Sequence, residues 1–308
     1  MAKPTRQNET QEERLARIEK ARLRRAATRT TLEERLRGEG GLKFADMLAK
    51  CGQPVRLVCC ACGERSIAES RCKKRWCPSC AYFIAAERVA KYKQAAEAFQ
   101  WPLFVTLTMR NTIDADGLKL MKKAWGKLRR RKLIASRVRS GIVGFEMTNK
   151  GHGWHPHCHA LLDCEWLALH VPPPVRTDSK EIKANKCRAA AEELGTLWAR
   201  IVGQETASVH VRRGDAAALV EVLKYSVKGS DLIECTDRAT DLIEVMQGMR
   251  LITTFGEIRK QIADEDPEEE EEAPQGCGCK NCGAKGSLIP QEIHDNALRK
   301  AFDRRNGR

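Results

Sequence analysis

Three of the seven histidines in this chain fall at alternate positions of one short stretch, Trp154-His155-Pro156-His157-Cys158-His159-Ala160-Leu161-Leu162-Asp163. The stretch reads as a β-strand, and successive strand side chains point to opposite faces, so the three imidazoles share one face. Neutral imidazoles held side by side on a strand make half of a metal site. A carboxylate is at hand on the preceding segment. Gly141–Thr148 reads as a strand and Asn149–Trp154 as a hairpin loop, so the histidine strand is its antiparallel partner. If Glu146 lies opposite His157, or one neighbour of the same parity away, its carboxylate joins the imidazole face. Two imidazoles and one carboxylate leave open positions on a divalent ion. That donor set suits Mn²⁺ or Mg²⁺ acting as a Lewis acid on a phosphoryl oxygen, while imidazole-rich sites also take Zn²⁺ or Co²⁺. Pro156 cannot donate to a ladder and marks the first residue of the strand.

A second chemical group lies downstream. The spacing predicts a helix over Asp215–Lys228, with Glu221 and Tyr225 at i and i+4 and Lys228 three residues on, so that one face presents a carboxylate, a phenol and an ammonium. A phenol becomes a nucleophile near neutral pH only where a cation or metal favours its phenolate. A third group is made of thiols. Cys59-Cys60-Ala61-Cys62 and Cys77-Pro78-Ser79-Cys80 are two C-x-x-C knuckles fourteen residues apart, and Cys59, Cys62, Cys77 and Cys80 are the expected ligands of a tetrahedral structural Zn²⁺. Cys72 or Cys60 can replace one of them. Cys277, Cys279 and Cys282 supply three more thiols, which need a fourth ligand such as His294 or Cys235 to close a second site.

The elements that position these groups can be read in order. Residues 10–37 interleave Glu with Arg and Lys and predict a charged helix, solvated or laid on phosphates; Gly38-Glu39-Gly40-Gly41 ends it. A helix follows the second knuckle over Ala81–Phe99, and Trp101–Met109 has the content of a buried strand. Asp114–Arg137 predicts a helix with Leu118, Met121, Trp125 and Leu128 on its core face. Thr206–Arg212 and Met249–Gly256 add strands, and Asn185–Ile201 a helix. The acidic run Asp264–Glu272 reads as a linker. Four segments result: a basic helical arm (1–48), a zinc-binding module with its following helix (49–99), a sheet domain (100–262) and a linker with a Cys-containing tail (263–308).

The chain carries 55 Lys and Arg against 41 Asp and Glu, a formal charge of +14. Residues 264–308 account for −4, leaving +18 on the rest. Such a body favours a polyanion, with nucleic acid the leading partner. Lys73, Lys74 and Arg75 beside the second knuckle, and Arg129 and Arg130 on the polar face of the 114–137 helix, are the candidate phosphate contacts. The polar N-terminus lacks the apolar core of a signal peptide, and no apolar run is long enough to span a membrane. We therefore expect a cytoplasmic chain whose clustered cysteines bind metal rather than form disulfides.

The ordered set of motifs resembles the plasmid rolling-circle replication initiators of the single-tyrosine type, members of the HUH endonuclease superfamily. Phe104-Val105-Thr106-Leu107-Thr108 is similar to the family's first motif, His157-Cys158-His159 to its metal motif and Tyr225-Ser226-Val227-Lys228 to its nucleophile motif. Cys72–Cys80 resembles the cysteine segment ahead of the nuclease domain. The likeness covers about residues 70–256 and implies an α+β fold, an antiparallel HUH sheet flanked by helices. It implies His157 and His159 as ligands with Glu146 as the third, and His155 in reserve. It further implies Tyr225 as the nucleophile that forms a 5′-phosphotyrosine, Lys228 as stabiliser of phosphoryl charge and Glu221 as activator of water at termination. Cysteine is an unusual middle residue of the metal motif, where it can pack as a small hydrophobe. The implied partners are a double-stranded origin and its single-stranded nick site, with host helicase and polymerase. A transposase or relaxase of the same superfamily, or a non-catalytic zinc-ribbon regulator, are the other readings.

Overall fold

The computed structural model describes residues 9–59, 62–63, 65–149, 152–170, 180–224, 229–235, 238–262 and 288–291. In chain order the helices are α1 (Gln11–Gly38), α2 (Leu42–Lys50), α3 (Pro78–Glu97), α4 (Gly117–Arg129), α5 (Lys132–Ala135), α6 (Glu165–His170), α7 (Lys180–Val202), α8 (Ala216–Leu223), α9 (Gly229–Glu234), α10 (Ala239–Met246) and α11 (Glu257–Gln261). The strands are β1 (Pro54–Cys59), β2 (Arg65–Glu69), β3 (Pro102–Thr108), β4 (Ser140–Asn149), β5 (Trp154–Asp163), β6 (Val209–Arg213), β7 (Ile252–Gly256) and β8 (Leu288–Pro290). The chain divides into a larger unit, Met1–Ala45 with Lys73–Glu265, and a smaller one, Asp46–Cys72 with Asp266–Arg308. The smaller unit holds an antiparallel sheet of order β2-β1-β8.

The larger unit is built on a five-stranded antiparallel sheet of order β6-β3-β5-β4-β7. The α+β architecture expected from the sequence is what the chain adopts. The histidine strand β5 is central, bonded to β3 on one side and β4 on the other, so its backbone has no free edge. Residues alternate between two helical layers. Leu103, Val105, Leu107, Val143, Phe145 and Cys158 are buried on the face covered by α4 and α7, where Trp125 meets Phe255 and the Trp198 indole donates to the Thr108 carbonyl at 2.6 Å. On the other face Phe104, Ile142 and Leu161 pack with Ala218, Leu219, Val222 and Leu223 of α8, with Tyr92 and Ala95 of α3 and with Phe99 just after it. Each fully buried side chain of this size contributes roughly 1.5–3 kcal/mol.

One close approach sets the position of α8. A Cβ on Gly144 would sit 2.2 Å from the carbonyl oxygen of Val222, so only glycine lets the helix backbone lie against β4 at this point. The N-terminus of α8 is capped by Asp215, which accepts from Ala218 N–H at 2.7 Å.

The first helix belongs to the same unit as the sheet. Leu32 and Leu36 are buried, and Arg35 donates to the carbonyls of Ile233 and Cys235 at the end of α9. Glu39 accepts from Ala239 N–H, Thr240 N–H and the Thr240 hydroxyl at 3.0–3.2 Å, so it caps α10 from a distant part of the chain.

Three expectations are corrected. The helix expected over Asp114–Arg137 is broken into α4 and α5 at Arg130 and Arg131, although Leu118, Met121, Trp125 and Leu128 are buried as its spacing required. The helix expected over Asp215–Lys228 ends at Leu223, and Lys224 is extended (φ −64°, ψ 176°). Ser and β-branched Val at 226 and 227 are weak helix formers, and Gly229 begins a new helix. The hairpin loop is also shorter than expected, because Asn149 pairs with Trp154 and β5 runs through Pro156.

Candidate metal centre

The β4–β5 register decides the site. Glu146 pairs directly with His157, and Gly144 with His159, so the carboxylate and both imidazoles project from the α8 side of the sheet. Oε2 of Glu146 lies 3.3 Å from Nε2 of His157 and 3.2 Å from Nε2 of His159. Among the described residues, Glu146, His157 and His159 form a group able to hold a metal ion.

The outer ring nitrogens explain why Nε2 faces inward on both histidines. Nδ1 of His157 lies 3.2 Å from the His155 carbonyl, which can only accept, so Nδ1 carries the proton in that bond. Nδ1 of His159 is 3.0 Å from the Thr106 hydroxyl, and with the hydroxyl accepting, the lone pair of Nε2 is left for an ion. Phe104 stacks on the His159 ring at 5.4 Å and 18°, and the Arg212 guanidinium lies 4.2 Å from the centre of Phe104. Burial alone would push the Glu146 carboxyl up, but with no ion between them, protonated rings of His157 and His159 hydrogen-bond to it through Nε2 and, with the charge of Lys224 beyond them, hold it well below the usual carboxylate range; a bound ion would take the place of those Nε2 protons. A buried carboxylate that stays ionised between two imidazoles is the donor chemistry a divalent cation needs, so the residues fit such an ion.

The neighbouring positions are equally defined. His155 shares the face, with Nδ1 2.8 Å from Oδ1 of Asn111. It stands one step outside the triad. Cys158 points the other way and is fully buried, which pushes its thiol up to about 12 and leaves it to pack as a small apolar group. Glu221, in the last turn of α8, brings Oε1 to 3.9 Å from Nε2 of His159 and accepts a hydrogen bond from the Lys224 ammonium. Tyr225 and Lys228 lie outside the described residues. Because α8 ends at Leu223, the single helical face expected to carry Glu221, Tyr225 and Lys228 is not formed by it.

The remaining candidates divide by location. Lys73 and Lys74 are exposed, whereas Arg75 turns inward and donates to the Met249 carbonyl at 2.6 Å, which gives it a structural task. Arg129 and Arg130 are exposed on α4, in the layer on the far side of the sheet from the triad. Of the expected thiols, Cys77 and Cys80 are both buried at the start of α3. Cys59 is buried and Cys62 exposed, while Cys60, Cys277, Cys279, Cys282 and His294 lie outside the described residues.

Sequence reasoning passed over Thr106, Gly144 and Lys224. Strand parity opposite His159 would have found the first two, and adjacency to Tyr225 the third. Among the described residues no helix is long and apolar enough to cross a membrane.

Comparisons with known proteins agree with this geometry. Residues 64–165 match the family described as "Replication protein" (Rep_1). The match takes in Cys72, Cys77, Cys80, Glu146, His157 and His159 and stops before Glu221. A curated protein of Lactiplantibacillus plantarum, "Protein rep", is 27% identical over 219 residues, 62% of this chain and 65% of that protein. The aligned part thus spans just under two thirds of the relative's length. No solved structure matches the chain. Over β3, β4, β5 and the cysteine segment before them the chain is similar to the replication proteins, and the resemblance to plasmid replication initiators is borne out at that level.

Proposed function

We propose that this chain initiates rolling-circle replication of a plasmid by nicking one DNA strand at its origin in a metal-dependent reaction. The observation that carries the reading is the Glu146–His157–His159 triad on a central strand pair, with the Glu221 carboxylate held beside it only four residues before Tyr225. A divalent ion, Mg²⁺ or Mn²⁺, held by the triad would act as a Lewis acid on the scissile phosphate. Tyr225 then attacks phosphorus. The bond from its phenolic oxygen to phosphorus forms as the bond from phosphorus to O3′ breaks. The phenol gives up its proton, and the departing 3′ oxygen ends as the hydroxyl that primes synthesis. The exchange of one phosphodiester for another keeps the energy of the cut bond in the 5′-phosphotyrosine. At termination Glu221 serves as general base for water, so that the second cleavage releases the protein. Lys228 is assigned to the phosphoryl charge by the family resemblance.

DNA is the partner on this reading, as the origin duplex and the exposed single strand. Lys73, Lys74, Arg129 and Arg130 would contact phosphates, those on α4 away from the reaction centre. A structural Zn²⁺ is assigned to the cysteine group that includes Cys77 and Cys80.

The test is covalent capture on an oligonucleotide spanning a site that the wild-type chain nicks in Mn²⁺. Wild type gives a protein–DNA adduct on a denaturing gel, and Tyr225→Phe gives none. An undiminished adduct with the Phe variant, or full activity in excess chelator, refutes the reading.

A further inference from the structure

The reading above leaves the charge on the phosphoryl group to Lys228, yet the described residues place a different ammonium at the centre. Lys224 is the first residue beyond α8, and its extended backbone is where the helix stops. Its side chain is only 21% exposed. The ammonium donates to Oε1 of Glu221, the same oxygen that lies 3.9 Å from Nε2 of His159. Its charge is also felt at Glu146 on the sheet. One cation thus sits on the Glu221 carboxylate, which in turn stands beside the triad.

An ion pair at the end of a helix is common and often has no further consequence. Here the charges of the loaded centre make it more than that. With both carboxylates ionised and a divalent ion on the triad, Lys224 brings the total to +1, opposite to one phosphodiester. Without Lys224 the centre is neutral before DNA arrives and −1 afterwards, and more negative still as charge gathers on the phosphoryl oxygens in the transition state. A second consequence follows for Glu221, whose carboxylate is engaged by Lys224 when no phosphate is present. Transfer of the ammonium from Glu221 to a phosphate oxygen would both neutralise the phosphate and free the carboxylate to accept a proton from water.

Resting on the nickase reading, we propose that Lys224 is a catalytic residue whose ammonium moves from Glu221 to a non-bridging oxygen of the scissile phosphodiester. No covalent bond to Lys224 forms and no proton is transferred by it.

Lys224→Gln and Lys224→Arg separate this role from a structural one. On the protein alone, Mn²⁺ binding to the Gln variant should be equal to wild type or up to about tenfold tighter, because a cation facing the triad is gone. Single-turnover nicking by the same variant should fall on the order of 10²-fold, with the Arg variant recovering about a tenth or more of the wild-type rate. On strands carrying a methylphosphonate at the scissile linkage, the isomer lacking the contacted oxygen should show less than about a threefold difference between wild type and Lys224→Gln. A residue that merely holds the end of α8 would weaken Mn²⁺ binding or slow nicking alike on every strand, and either pattern overturns the proposal. If wild type nicks and the Gln variant matches it, Lys224 alone is refuted. If wild type nicks no strand in Mn²⁺, the nickase reading itself falls and takes this one with it.

Discussion

Gly144→Ala tests whether the position of α8 on the sheet sets the rate of the proposed reaction. The new methyl group would meet the Val222 carbonyl oxygen at 2.2 Å, and its carbonyl carbon at 3.3 Å. Both are backbone atoms, so no side-chain rotation relieves the clash. Reaching ordinary contact near 3.4 Å requires the helix to retreat by about 1.2 Å, an overpacking that destabilises by roughly 1–3 kcal/mol. The triad stands on β4 and β5 and does not depend on α8, so Mn²⁺ affinity should stay within about threefold of wild type. Glu221 and Lys224 travel with the helix. A displacement near 1 Å between a catalytic group and its reaction centre can lower a rate about 10²-fold. The assay pairs Mn²⁺ titration of the purified variant with single-turnover nicking of a cognate strand, at a temperature where circular dichroism shows it folded. A folded variant that binds Mn²⁺ and nicks at the wild-type rate would falsify the claim that the seating of α8 matters.

Two further substitutions probe the parts around the site. Thr106→Val removes the acceptor for Nδ1–H of His159, so Mn²⁺ affinity should drop about 10- to 100-fold while Thr106→Ser retains it; equal affinities for Val and wild type would remove Thr106 from the metal's support. Glu39→Ala strips α10 of its remote cap and should destabilise the larger unit by about 1–2 kcal/mol in urea unfolding at pH 7. Burial alone would raise the Glu39 carboxyl, but hydrogen bonds from Thr240 and Ala239, with Arg35 beside it, lower it below 4.5. A depressed folded value means this stabilisation is complete above pH 4.5 and fades as the pH falls below it, so the gap between wild type and variant should narrow in acid. A gap that stays constant down to pH 3 contradicts the ionic part of the argument.

Much of the site was legible because a strand has a period of two. The alternation of His155, His157 and His159 fixed a common face, and the short hairpin before them required the partner strand to be antiparallel, which left Glu146 few places to be. The observed pairing of Glu146 with His157 is one of those places. The choice among three imidazoles was not legible from parity, because all three share it. It is settled by reach, since Nε2 of His157 and of His159 meet Glu146 whereas His155 turns to Asn111. Pro156 looked like the first residue of the strand. It sits within β5 because Pro lacks only a donor, and its carbonyl still accepts from Met109 N–H at 3.1 Å.

The helical half was less legible, and for a physical reason. Periodicity shows which residues would share a face if a helix continues, but a helix end is decided by tertiary contacts that periodicity does not contain. Glu221-Val222-Leu223-Lys224 scans smoothly into Tyr225, and Leu219, Val222 and Leu223 pack in the core as a continuing helix face would. The weak helix formers Ser226 and Val227 come only after the stop and do not place it at Leu223. The change of direction there has a clear effect on the chemistry. Had α8 continued, Glu221, Lys224, Tyr225 and Lys228 would all have shared one helical face, with Lys224 three residues from Glu221 and within reach of its carboxylate. With the backbone extended at Lys224, its ammonium still reaches Glu221, but α8 does not form that shared face. The sheet therefore brings together the residues that could hold a metal, while the end of α8 fixes which charges stand beside them, and the second assignment had to await the fold.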